Sequence, residues 1–143
     1  MSKRILVVDD SKDVCTIVKN ALTMRGLEVI TVTDGFAAMT SAMKYRPDLI
    51  LLDVMMPKMS GFQVCENLRK RIEFAETPIL FLTAKDTPQD EMWGRRVGGS
   101  LYLTKPFEVR ELVKLVEQIL AGKREQHHRP DFNPVKPDVD FED

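Results

Sequence analysis

The chain has 143 residues, 43% of them hydrophobic and 30% charged, with a net charge of −1. That size accommodates one core and no second domain, and the even charge balance gives no bulk attraction to nucleic acid or anionic membrane. No stretch approaches the roughly 20 apolar residues of a membrane span. The opening run Ile5, Leu6, Val7 and Val8 stops at Asp9, too short for a signal-peptide core, so a cytoplasmic protein is expected. Cys15 and Cys65 have no CxxC partner and are expected to be buried free thiols.

In chain order, residues 5–8 form the first of five short apolar runs and end in Asp9 and Asp10. Runs without alternation suit strands buried on both faces. Val14, Ile17, Val18, Ala21 and Leu22 then recur at helical spacing, with Ser11 as the N-cap and Gly26 as the stop. Residues 29–32 are the second strand. Ala38, Met39, Ala42 and Met43 make the next helical stripe, ended by Pro47. Residues 49–52 are the third strand, followed by Asp53. Gly61, Cys65, Leu68 and Ile72 predict a third helix, opened by Ser60.

Residues 78–82 are the fourth strand. Thr87, Pro88 and Asp90 read as the cap and first turn of a fourth helix, interrupted by Gly94 and ended by Gly98 and Gly99. Residues 101–103 are the fifth and weakest strand. Leu112, Val116, Ile119 and Leu120 make the last helical stripe, opened by Pro106 and Phe107. Five β-α repeats with right-handed crossovers predict an α/β fold, a doubly wound five-stranded parallel sheet of flavodoxin-like order 2-1-3-4-5 with helices on both faces. Residues 1–122 form this domain. Residues 123–143 lack apolar periodicity and read as a disordered tail whose removal should leave fold and phosphorylation intact; a docking motif at Phe132 and Phe141, set among acids, is the alternative to that reading. His127 and His128 in that tail read as solvated.

Ligands of open α/β sheets bind outside the carboxyl ends of the strands. Those ends carry Asp9 and Asp10, Asp53, Thr83, and Lys105 before Pro106. Three carboxylates brought together repel one another and call for a cation. Mg²⁺ meets that need with one or two carboxylates, waters and phosphate oxygens, and a lysine adds a compact charge for a phosphoryl oxygen. Asp53 is then a nucleophile for phosphoryl transfer.

Asp9-Asp10, the run Asp53-Val54-Met55-Met56-Pro57 followed by Ser60-Gly61, then Thr83-Ala84, and Tyr102-Leu103-Thr104-Lys105-Pro106-Phe107 resemble the receiver domain of two-component response regulators, the chemotaxis receivers among them. The resemblance implies that Asp53 is the phospho-acceptor. It makes Asp9, Asp10, Asp53 and the backbone carbonyl of Met55 the ligands of Mg²⁺, with Mn²⁺ as a substitute. Lys105 binds the phosphoryl group, and its bond to Pro106 is expected to be cis. Thr83 and Tyr102 are the switch residues, the hydroxyl moving onto the phosphoryl group and the ring turning inward.

The resemblance further implies a sensor histidine kinase or histidine phosphotransfer protein as donor. The output is a change in the surface of the fourth helix, fifth strand and last helix that controls a target protein, with a homodimer as one outcome of activation. No direct nucleic-acid or membrane binding is implied. The sequence departs from the family at Gly98-Gly99-Ser100-Leu101, on that output surface. Met55 and Lys85 flank the approach of a hydrolytic water and predict slow loss of phosphate. A receiver cut from a longer transcription factor or effector enzyme is the alternative. A haloacid-dehalogenase-like phosphohydrolase is disfavoured because Met55 stands where its second aspartate belongs. A flavodoxin-type FMN site is disfavoured because Asp9 and Asp10 would repel the phosphate.

Overall fold

The computed structural model of the chain describes residues 2–84 and 101–122. The expected helix from Thr87, Lys85, Trp93, the glycines at 94, 98 and 99, and the tail lie outside the described residues.

Five parallel strands form one sheet in the order β2-β1-β3-β4-β5. They are β1 (Arg4–Val8), β2 (Glu28–Val32), β3 (Leu49–Asp53), β4 (Ile79–Thr83) and β5 (Leu101–Thr104). The three inner strands are the continuous apolar runs, and every residue of β3 and β4 is buried. Each buried Leu or Ile there contributes roughly 2 kcal/mol. On outer β2, Glu28 is exposed and the other residues are half-buried, in keeping with its mixed sequence.

The described helices are α1 (Lys12–Thr23), α2 (Gly35–Tyr45), α3 (Gly61–Arg69) and α4 (Val109–Leu120). α1 packs beside α4, and α2 beside α3, the pairing of a sheet wound outward in both directions from β1. Ser11 caps α1, its hydroxyl accepting from Val14 N, and Cys15, Val18 and Leu22 face the sheet. Gly26, at φ +82°, ends the turn that follows. α2 is capped by Asp34, which accepts from Ala37 N. α3 opens on a reciprocal capping box between Ser60 and Gln63.

Two expectations shift. Ile72 continues the α3 spacing, yet α3 stops at Arg69 and Ile72 is 90% exposed. The guanidinium of Arg69 donates to the carbonyls of Phe74 and Thr77, both at 2.6 Å, and this turns the chain so that Phe74 enters the core instead. The last helix starts at Val109 rather than at Pro106, because Pro106 and Phe107 belong to the loop after β5. Cys15 and Cys65 are buried and form no disulfide, as expected.

Candidate functional site

The carboxyl ends of β1, β3, β4 and β5 meet at one edge of the sheet. Asp9 follows β1 and is fully buried. Its N–H donates to Val32 O at 3.2 Å. Carboxylate Oδ1 accepts from Ser11 N at 2.9 Å, closing an Asx turn, and Oδ2 accepts from Lys105 Nζ at 2.7 Å. The Cys15 thiol donates to the Asp9 carbonyl at 3.3 Å. Asp10 points to the exposed side.

Asp53 is the last residue of β3 and is 3% exposed. Its Oδ1 accepts from Met55 N at 3.3 Å and stands 3.6 Å from Lys105 Nζ. Lys105 is held at the edge by its own backbone: its N–H donates to Thr83 O at 2.6 Å, and the Lys105–Pro106 bond is cis. The buried Thr83 pairs with Thr104 across β4 and β5.

The loop after β3 returns sharply to α3. Val54 N donates to Leu82 O, which extends the sheet by one residue. Met59 N donates to Pro57 O at 2.7 Å around Lys58, whose φ is +71°. Gly61 N then donates to Val54 O at 3.0 Å. A Cβ at Gly61 would overlap the Asp53 carbonyl oxygen and come within 3.0 Å of Val54 Cα. Glycine at 61 is therefore a condition for α3 to start directly beneath Asp53.

Electrostatics follow from that packing. Oxygens of Asp9, Asp10 and Asp53 lie within 4.8 Å of one another. Burial and then the Asp9 charge push the Asp53 carboxyl from 3.8 up to about 7, with Lys105 offsetting part of the rise. For Lys105, burial disfavours the charge, but its hydrogen bond to Asp9 and the nearby Asp53 carboxylate outweigh it and hold the ammonium above its ordinary range. Burial also raises the Cys15 thiol, with the Asp9 charge adding to it, which leaves it a packing group and hydrogen-bond donor.

The structure thus brings together Asp9, Asp10, Asp53 and Lys105, with Thr83 at the adjoining strand end. Tyr102 is 2% exposed, its ring 5.3 Å from Phe81 and 6.5 Å from Phe62 between centroids. Sequence reading missed the Ser11 N–H and the Cys15 thiol as supports of Asp9. An Asp followed two places later by Ser is an Asx-turn signal that points to the first; nothing in the sequence marks the second.

The sequence pattern of the response regulator receiver domain matches residues 5–117. The chain is 46% identical over 121 residues to the alkaline phosphatase synthesis transcriptional regulatory protein PhoP of Bacillus subtilis, covering 84% of this chain and 49% of PhoP. It is 36% identical over 132 residues to protein PilG of Pseudomonas aeruginosa, covering 92% of this chain and 91% of PilG. It therefore spans about half of the first relative and nearly all of the second. Chemotaxis protein CheY4 of Vibrio cholerae superposes with a TM-score of 0.81 at 36% identity, over 83% of this chain and 99% of that one. By sequence, fold and the placement of its carboxylates, the chain belongs to the response regulator receiver domain family of two-component systems, as a phosphorylatable, chemotaxis-receiver-like member.

Proposed function

We propose that Asp53 is the phospho-acceptor and that a phosphohistidine of a sensor histidine kinase or histidine phosphotransfer protein is the donor. The observation that carries this is a carboxylate held 3% exposed, with a lysine ammonium 3.6 Å from its Oδ1 and two further carboxylates beside it. In the transfer, an Asp53 oxygen forms a bond to phosphorus as the nitrogen–phosphorus bond of the donor breaks. The imidazole leaves with the electron pair. Lys105 attracts the oxygens of the transferring group. Asp53 must be ionised to attack, and its burial opposes that.

Among the described residues, three carboxylates with oxygens within 4.8 Å of one another face the Lys105 ammonium, and such oxygen donors fit a hard divalent cation. Asp9, Asp10, Asp53 and the Met55 carbonyl would hold Mg²⁺, or Mn²⁺ in its place. When bound, the ion supplies positive charge that favours ionised Asp53 and offsets charge on the phosphoryl oxygens.

The signal leaves through Thr83 and Tyr102. A dianionic group on Asp53 offers acceptor oxygens to the Thr83 hydroxyl. Moving that hydroxyl alters the packing of Phe81 and Tyr102 and hence the face of β5 and α4, where a target protein or a second copy of the chain docks. Met55, 69% exposed beside Asp53, lacks the hydrogen-bonding groups to orient a hydrolytic water, so the phosphorylated state is long-lived.

The test is intact mass after incubation with acetyl phosphate and Mg²⁺. Wild type should gain one phosphoryl group and Asp53→Asn none. Equal incorporation would reject Asp53 as the acceptor.

A further inference from the structure

α1 carries a second apolar stripe that the sheet does not cover. Ile17, Ala21 and Met24 are spaced i, i+4, i+7 and lie on one face. Ile17 is 51% and Met24 85% exposed. Between this stripe and α4 run two hollows of about 540 and 470 Å³, which share Val109 as a wall. Val113 floors the second hollow, at the end remote from Asp53, and its rim holds Arg25, Arg110 and Lys114 against one acid, Glu117. Arg25 lies 3.6 Å from Glu117 and Arg110 lies 3.8 Å from the exposed Glu108, a pair that water screens, so Lys114 and the weakly held Arg110 give the described rim its positive character.

The chain itself holds a segment of complementary chemistry. After Asp131, acids follow at 138, 140, 142 and 143 against one base, Lys136, and they enclose Phe132, Val135, Val139 and Phe141. Apolar anchors among acids match an apolar floor with a basic rim, the arrangement that fixes both affinity and register in an interface. The connection is also long enough. α4 ends at Leu120, at the end of the groove marked by Met24, Arg25 and Glu117. The ten residue steps from Gly122 to Phe132 reach about 33 Å when extended. The groove along α4, twelve residues, is about 18 Å long.

We infer that the C-terminal segment 131–141 binds in the α1–α4 groove of its own chain, with Phe132 or Phe141 against Met24, Ala21 and Val113 and its acids against Arg110 and Lys114. A segment without periodicity of its own can bind as extended chain, with side chains as anchors rather than a helical face. Tethering gives it an effective concentration that a free peptide lacks. This contact stands independently of phosphotransfer.

The test is photo-cross-linking in the full chain, with a benzoylphenylalanine replacing Phe132 and, separately, Phe141. Expected are intramolecular cross-links to residues 17–25 and 109–117, at a yield independent of protein concentration. The yield should fall several-fold at about 1 M salt, where the screening length is about 3 Å. It should fall several-fold again in Ile17→Glu and Met24→Glu, exposed positions whose melting temperatures report that the fold is kept. Cross-links scattered over the surface, unchanged yield in both variants, or cross-links only between two chains would overturn it. The last result would make a second copy the occupant.

Discussion

The two edges of the sheet use the same ingredients to opposite ends. At the edge where the strands begin, Arg4 is the hub: its N–H donates to Asp48 Oδ2 at 2.8 Å, its Nε to Glu28 at 3.1 Å and its Nη1 to Tyr45 O at 2.7 Å. The Arg4 and Glu28 side chains are 39% and 50% exposed, so water shares the load. At the edge where the strands end, Lys105 is the hub, but its partners Asp9 and Asp53 are 0% and 4% exposed. A cation among exposed carboxylates is a staple worth little. A cation outnumbered by buried carboxylates leaves a demand for more positive charge, and that demand is what makes the second edge a site.

The largest difference should appear when each hub is removed. Lys105→Met should cost about 3 kcal/mol at pH 8 without divalent ions, since two buried carboxylates lose their partner. Arg4→Met should cost about 1 kcal/mol. Urea unfolding of both variants measures this, and equal losses would erase the distinction between the edges. Next in size, Mg²⁺ at a hundred times its dissociation constant should stabilise wild type by about 2.7 kcal/mol. Asp10→Asn should lose most of that gain, and Asp48→Asn, at the other edge, none of it.

The pH dependence sharpens the comparison further. The unfolded chain releases the Asp53 proton near the ordinary 3.8, and the folded chain holds it up to about 7. Between those values the folded state binds more protons, so stability falls as pH rises, by at most about 1.4 kcal/mol per pH unit from this group. Above pH 7 the loss levels off. Asp53→Asn should flatten the slope and raise stability at pH 8, whereas Asp48→Asn should keep it. Thermal melts from pH 4 to 8 without divalent ions decide this. The smallest effect concerns lifetime: Met55→Asn should shorten the half-life of the phosphorylated protein a few-fold, read by intact mass over time. An unchanged decay would remove Met55 as the brake.

Much of this asymmetry was legible in the sequence. Continuous apolar runs marked strands buried on both faces, and the residue after each run named the site: Asp9, Asp53, and Lys105 beyond Thr104. Right-handed crossovers pointed to a doubly wound sheet, and the strand order was the one expected of flavodoxin-like folds. Local competition was not legible. Ile72 keeps the helical period of α3, yet the chain turns after Arg69, whose guanidinium holds the Phe74 and Thr77 carbonyls, and Ile72 is left outside the core. Nor does spacing show that Gly61 lies against the Asp53 carbonyl, which leaves no room for a Cβ there. Both effects arise from contacts between segments, which no period along the chain encodes.

The central claim is that the buried carboxylate at the end of β3 takes the phosphoryl group. Borohydride reduction of the phosphorylated chain converts an aspartyl phosphate into homoserine, and peptide mapping then locates it. The account predicts homoserine at position 53 alone, formed in the presence of Mg²⁺ and absent after chelation. Homoserine at position 9 or 10, or a phosphorylated chain that yields none at 53, would contradict it.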